Sequence, residues 1–263
     1  MVHCHCQRCR KSHGASLASW THFQRASFTW LNRGELGYYY SSTSIRRSFC
    51  LNCGSNIPDP DSAGDEFGFP VGNVLQMAKP EPCFHVYTAS KAPWTAIAQA
   101  FQQFEGVPTH FRDPEMVELD RQTRAGRIHG SCLCGDVTFE TTDPEFMMNC
   151  HCTRCRLSRA APYATNLFVS RESVEWISGK DLVRNYKLPD AERFAVGFCR
   201  QCGGLVPRTD SDSPRIHIPA GCLDSNPGIE PLGHIFVGSK ASWFDITDVL
   251  PQWEASREPG RHA

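Results

Sequence analysis

The stretch CHCQRCRKSHGA at residues 4–15 returns as CHCTRCRLSRAA at residues 150–161. Two further blocks repeat in the same order. FCLNCGSNIPDPDS at 49–62 is answered by FCRQCGGLVPRTDS at 198–211, and EPCFHVYTASKAPWTAI at 81–97 by EPLGHIFVGSKASWFDI at 230–246. The offset is 146 residues for the first block and 149 for the other two, so the second copy carries a three-residue insertion between them. Self-similarity at a near-constant offset, with order preserved, marks a duplicated unit. The reading is one domain written twice: residues 1–106, a polar linker over 107–126, and residues 127–256. Within the linker, residues 114–124 have the makings of a short surface helix.

Inside each copy, runs such as DVTFE at 136–140 and RIHIPA at 215–220 are alternating or β-rich, and turns recur every ten residues or so. That pattern predicts two mainly β domains in tandem. Helix is expected only after each Lys-Ala-x-Trp, from Trp94 and from Trp243 onward, because Ile97, Phe101 and Phe104 fall at helical spacing.

The 263 residues carry a formal charge of −1, and residues 1–106 a net +2 with no basic run. That balance gives no electrostatic footprint for nucleic acid. No apolar run reaches the ~18 to 20 residues needed to cross a bilayer. The opening MVHCHCQRCRKSHG has no apolar core of the secretory kind. The expectation is a soluble, cytoplasmic protein. In that reducing compartment fourteen cysteines are metal ligands before they are disulfides. Their spacing agrees, since C-x-C and C-x-x-C set two sulfurs on one side of a tight turn, facing one ion.

The second copy holds seven clustered thiols: Cys132 and Cys134, then Cys150, Cys152 and Cys155, then Cys199 and Cys202. Seven divides as four plus three. The two pairs, far apart in sequence, close a tetrahedral site; the compact triple leaves one position open. The alternative is that His151 or a distant residue closes the triple as a fourth ligand. Cys222 stands where the first copy has Asn73, and Cys83 where the second has Leu232, so both read as packing residues.

The order G-x-C-x-C-G-x-V-x-F, C-H-C-x-x-C-R, F-C-x-x-C-G and H-I-F-V-x-S-K-A-x-W resembles the glutathione-dependent formaldehyde-activating enzyme family, which includes centromere protein V. The resemblance spans both copies and implies an all-β fold of the β-tent type, with two zinc ions per complete domain. It makes Cys132, Cys134, Cys199 and Cys202 structural ligands, and Cys150, Cys152 and Cys155 the ligands of a catalytic zinc near a glutathione site. Cys4, Cys6 and Cys9 match that triple in the first copy, and Cys50 and Cys53 match the C-x-x-C pair. The implied activity is a carbon–sulfur lyase of the S-(hydroxymethyl)glutathione synthase type, joining a small thiol to formaldehyde or a related aldehyde. A second class of function is a non-catalytic, zinc-stabilised binding module like centromere protein V. The missing basic run disfavours contact with chromatin.

Three departures from the pattern shape the expectations. The C-x-C block of the first copy belongs some 18 residues before Cys4, ahead of Met1, and an upstream in-frame extension is the preferred account of it. With Cys50 and Cys53 lacking those partners, about three zinc ions are expected, two open and one closed. Ala160 replaces Gly14 just past the triple, where an extra methyl weakens binding if backbone approaches substrate. Arg10 and Arg156, directly after each triple, offset its negative charge or bind a substrate carboxylate, or else are solvated surface groups. Lys91 and Lys240 bind a glutathione carboxylate or cap a strand end. The two copies also have the means to pack on each other within the chain.

Overall fold

The computed structural model describes residues 1–59, 61, 64–77, 83–97, 100–108 and 124–256. Apart from Arg124, the expected linker helix at 114–124 lies outside them. Each copy contributes a five-stranded mixed sheet of the same order. In the first, Glu66–Pro70, Ala18–Gln24, Val2–Cys4, Phe84–Val86 and Gln102–Gln103 lie side by side. In the second the order is Arg215–Pro219, Ala164–Ser170, Phe146–Cys150, Pro231–Ile235 and Gln252–Trp253. The central strand runs antiparallel to one neighbour and parallel to the other, with Cys4 opposite Ala18 and Val86, and Cys150 opposite Ala164 and Ile235. A three-stranded sheet in each copy carries the C-x-x-C knuckle at the end of its middle strand, Arg46–Cys50 or Ala195–Cys199.

The fold is mainly β, with two seven-residue helices among the described residues: α1, Gln7–His13, and α2, Thr153–Arg159. Both sit inside the C-x-C-x-x-C blocks. Among the described residues, the segments after Trp94 and Trp243 are not helical. Their backbones turn and then join the sheet edge, where the Phe104 amide donates to the His85 carbonyl at 2.9 Å and the His234 amide to that of Pro251 at 2.8 Å. The apolar residues that mimicked a helical stripe serve different clusters, Phe101 stacking on His3 and His85 while Phe104 covers the first cysteine triple.

Between the copies the packing is reciprocal. Trp94 of the first copy is buried among Met147, Leu167 and Ile218 of the second. Trp243 of the second is buried with Met1, Val71 and Cys83 of the first. Gly54 and Gly203, each at the end of its knuckle, need positive φ (73° and 70°), and each lies against a phenylalanine of the other copy, Phe198 and Phe49, closer than any Cβ tolerates. Only glycine meets both demands. The helices pack across the same interface, where the His13 Nδ1–H donates to the Arg159 carbonyl at 2.8 Å.

One contact breaks the symmetry. Lys11, with no exposed surface, pairs with Asp224 at 2.7 Å and donates to the Ser131 carbonyl, Ser131 Oγ and the Cys222 carbonyl. A buried ammonium is tolerated only when paired and fully hydrogen-bonded, and these four contacts meet that condition. The equivalent positions in the other copy are Leu157 and Leu75, so the lock exists once.

Because each core is completed by the other copy, Trp243→Ala and Trp94→Ala are each expected to destabilise the whole chain by about 3–5 kcal/mol. Denaturant unfolding followed by circular dichroism checks this, and separate transitions for the two copies would contradict it. Acid should act at the same interface. Burial lowers the His13 and His85 pKa values to about 4 from the usual 6.5. The unfolded chain therefore takes up protons first, and stability is lost as the pH falls from about 6.5 towards 4. Urea midpoints measured at pH 7.5 and 5.5 should differ less in His13→Gln, whose amide still donates to the Arg159 carbonyl, than in the parent chain.

Candidate metal centres

Helices α1 and α2 exist because of how the cysteines are placed. In each, the middle cysteine of the triple is the N-cap, and its sulfur accepts the amide of the third: Cys9 N–H to Cys6 at 3.3 Å, Cys155 N–H to Cys152 at 3.4 Å. The helix closes after seven residues on a left-handed residue, Gly14 or Ala160. The outcome is three sulfurs facing one point. Cys4, Cys6 and Cys9 form one cluster and Cys150, Cys152 and Cys155 another, with all sulfurs of each within 4.8 Å of one another.

The histidine inside each C-H-C is turned away from the sulfurs. His151 Nε2 lies 2.8 Å from His234 Nδ1, and His234 Nε2 lies 3.1 Å from the Asp248 carboxylate. A carboxylate can only accept, so His234 donates through Nε2 and accepts at Nδ1 from His151. The first copy repeats the pair as His5 Nε2 and His85 Nδ1 at 2.9 Å. Among the described residues neither triple has a fourth His, Cys, Asp or Glu ligand.

Cys132, Cys134, Cys199 and Cys202 converge on one point, with sulfur separations of 3.3 Å for Cys132–Cys134 and 3.8 Å for Cys134–Cys199. Tetrahedral zinc with bonds near 2.3 Å sets sulfurs about 3.8 Å apart. The cluster is walled by Leu133, Val137 and Val206 and by Tyr39 of the first copy. Cys50 and Cys53 sit together on the first knuckle with no third ligand-bearing residue among those described. Burial pushes the Cys222 thiol up to about 12, an inert packing group; Cys83 is likewise buried outside the clusters.

The thiols are electrostatically frustrated as a set. In the second triple, hydrogen bonds from Cys150 and Cys155 hold the Cys152 thiol down to about 3, while Cys150 is pushed up to about 12. In the first, the charge falls on Cys9, held well below its ordinary value by hydrogen bonds from Cys4 and Cys6, with Arg47 and His13 adding to the effect. One sulfur in each ionises at the expense of the others, and only a cation lets all three ionise together. The donor set therefore fits zinc.

The remaining expected residues are placed unevenly. Arg10 and Arg156 are buried, not solvated; Arg10 donates to the His5 carbonyl, and Arg156 lies beside Cys152 with its Nε and Nη1 unpartnered. Lys91 is exposed, donates to the Thr95 carbonyl and lines a cleft of about 380 Å³ between the copies, with Trp94, Asn149, Tyr163, Glu230 and Asp248. Lys240 is half-buried where the strand Pro231–Ile235 gives way to a turn. Ala160 is fully buried against Gly72 of the first copy, so its methyl meets protein rather than substrate. Arg47 was not singled out from the sequence, although it stands where the second copy has Val196. Its Nη2 reaches to 3.6 Å from Cys9 Sγ.

A family model described as glutathione-dependent formaldehyde-activating enzyme matches residues 1–90 and 127–239. The chain belongs to that family. The two matched segments fall one in each copy. No curated protein matches the sequence. Among solved structures, the chain is similar to a crystal structure of a Rhodobacter sphaeroides protein, at 23% identity and a TM-score of 0.31, over 39% of this chain and 97% of that one.

Three convergent clusters are expected to hold about three zinc ions per chain, measured by metal analysis of the purified protein. Cys132→Ser should remove about one and lower the unfolding midpoint, because a closed site contributes folding energy. Cys50→Ser should leave the zinc content unchanged; a drop of one would show that the lone pair binds metal.

Proposed function

We propose that this chain binds a small thiol of the glutathione type and promotes its addition to formaldehyde or a related aldehyde. The observation that carries this reading is the pair of three-sulfur clusters, each lacking a fourth ligand among the described residues, in a member of the formaldehyde-activating family. Each copy, residues 1–106 and 127–256, would then carry one such centre, with Cys132, Cys134, Cys199 and Cys202 as the structural site of the second. Residues 107–126 serve as the linker. The reducing cytoplasm suits a protein that keeps so many thiols free, and no helix among the described residues is long and apolar enough to cross a membrane.

Zinc held by the three cysteines supplies the charge that keeps an arriving thiol ionised at neutral pH. The chain's own groups do the rest. His151 and His5, tied to His234 and His85, stay clear of the open position. The amides of Cys155 and Cys9 donate to sulfur and hold the turn in shape. Arg156, with its Nε and Nη1 unpartnered beside Cys152, offsets the charge of the sulfurs. Lys91, which lines the cleft between the copies, would pair with a carboxylate of the thiol. In the addition, a carbon–sulfur bond forms at the aldehyde carbon. The carbonyl π pair moves to oxygen, which takes a proton from water, and the thiol proton goes to solvent. The product is a hydroxymethyl thioether, and the reverse step is carbon–sulfur cleavage.

Replacement of Cys152 by serine is expected to remove about one zinc and to abolish the thiol-dependent spectral change at that centre in cobalt-loaded protein. Most of the fold should survive, as judged by far-ultraviolet circular dichroism. Global unfolding of this variant would identify the triple as structural and count against the proposal.

A further inference from the structure

The cleft of about 380 Å³ between the copies presents more polar groups than its own residues pair. Part of its lining is a hydrogen-bonded chain that crosses the interface. Trp94 Nε1–H donates to Ser16 Oγ at 3.2 Å, the Ser16 and Thr165 hydroxyls meet at 2.8 Å, and Thr165 donates to Asn149 Oδ1 at 2.8 Å. That chain uses the Asn149 acceptor and leaves its Nδ2 amide without a partner among the described residues. The Tyr163 hydroxyl is likewise unpartnered among them; burial and the nearby Asp248 carboxylate push its pKa up, so it stays a donor. Asn149 and Tyr163 both line the cleft while only 5% and 8% exposed. Lys91 and Glu230, both exposed, complete the set. Lys91 donates once, to the Thr95 carbonyl at 3.2 Å, and Glu230 has no partner among the described residues. The opposite side of the interface lacks these groups: Leu17 stands for Tyr163, Pro162 for Ser16 and His3 for Asn149, with His3 buried and stacked on His85 and Phe101.

We propose that this cleft binds the α-amino-acid group of a small molecule, once per chain, with Lys91 and the Asn149 amide on its carboxylate and Glu230 and Asp248 on its ammonium. The proposal rests on the reading of Lys91 above and on no step at either triple. Charge selects the class of ligand. One lysine against two carboxylates disfavours an anion with no cation of its own and suits a group that carries both signs. Lys91 and Glu230 line one cleft without pairing with each other, so each keeps its charge for a ligand lying between them. A buried amide or hydroxyl left unpaired is costly, and a carboxylate that supplies the missing acceptor recovers that cost. Such charge-assisted contacts are strong in a partly desolvated place. Trp94 and Tyr163 supply flat apolar walls for the aliphatic part, as small-molecule sites commonly do. The same group is found on a free amino acid and on the amino end of a γ-glutamyl thiol.

The test is calorimetric titration of the full zinc-loaded chain with L-glutamate, N-acetyl-L-glutamate and S-methylglutathione, whose blocked sulfur cannot enter a metal site. L-Glutamate or S-methylglutathione is expected to bind at one site per chain. Acetylation of the glutamate amine should weaken binding about 10- to 100-fold, the range of one hydrogen bond to a charged group. Glu230→Gln should become nearly indifferent to that acetylation, and Lys91→Met should weaken both glutamates about equally. Lys91 and Glu230 are exposed, so both variants should keep the fold, and circular dichroism checks this. S-methylglutathione displacing glutamate one for one supports the proposal and names the thiol's amino end as the occupant; glutamate binding alone supports it with a free amino acid as the source. No binding of either, no discrimination against the acetylated amine in the parent chain, or indifference to Lys91→Met overturns it. None of these failures touches the spectral change that glutathione causes in cobalt-loaded protein, which tests the thiol reading separately.

Discussion

Three thiols held within hydrogen-bonding reach of one another cannot all ionise, and that conflict organises much of this protein. It is created by two short helices whose N-caps are themselves sulfurs, so secondary structure and donor geometry are one feature. A seven-residue helix has little stability of its own. These two are held from outside, by packing of one copy on the other and by the histidine pairs that pin the C-H-C turn. The relay from Asp248 through His234 to His151 keeps an imidazole one residue from two cysteine sulfurs without letting it become a ligand.

Much of this was legible in the residues. The repeated blocks gave the two-copy organisation, the seven thiols of the second copy divided as their spacing implied, and the β content followed from short alternating runs. Spacing reports local geometry, so it found the turns around sulfur. It failed where a residue's partner is set by the three-dimensional fold. Ile97, Phe101 and Phe104 have helical spacing, but the backbone between Trp94 and Phe104 ends as a sheet-edge strand. Arg10 and Arg156 read as surface groups or as substrate ligands, and nothing in their sequence context shows that both are buried. Arg47 was visible only as a difference between copies, Arg against Val, and its meaning depends on a strand folding over the triple from forty residues away.

The two copies have diverged in what their halves must do. In the second, the hairpin of Ile128–Ser131 and Thr138–Thr141 brings the C-x-C pair to the knuckle and packs Phe139 against Trp176. The first has Trp30 at the place of Trp176, resting edge-on against Phe28, with Leu31 fully exposed beside it. At the interface, the buried Lys11–Asp224 pair has no counterpart on the opposite side, where Leu157 and Leu75 stand. Such a pair contributes little net stability compared with apolar packing, but it penalises any arrangement in which one partner is left alone.

The exchange of Trp94 and Trp243 also has a meaning in time. A ribosome delivers Trp94 and Lys11 before the second-copy residues that enclose them exist. At about 5–20 residues per second, roughly 4 to 15 seconds separate Trp94 from Leu167, and roughly 11 to 43 seconds separate Lys11 from Asp224. During that interval a large indole and a lysine meant for a buried site are exposed on a half-finished surface. Fusing both copies in one polypeptide ensures that the surface which finally covers them arrives on the same chain, at an effective concentration no free partner would match.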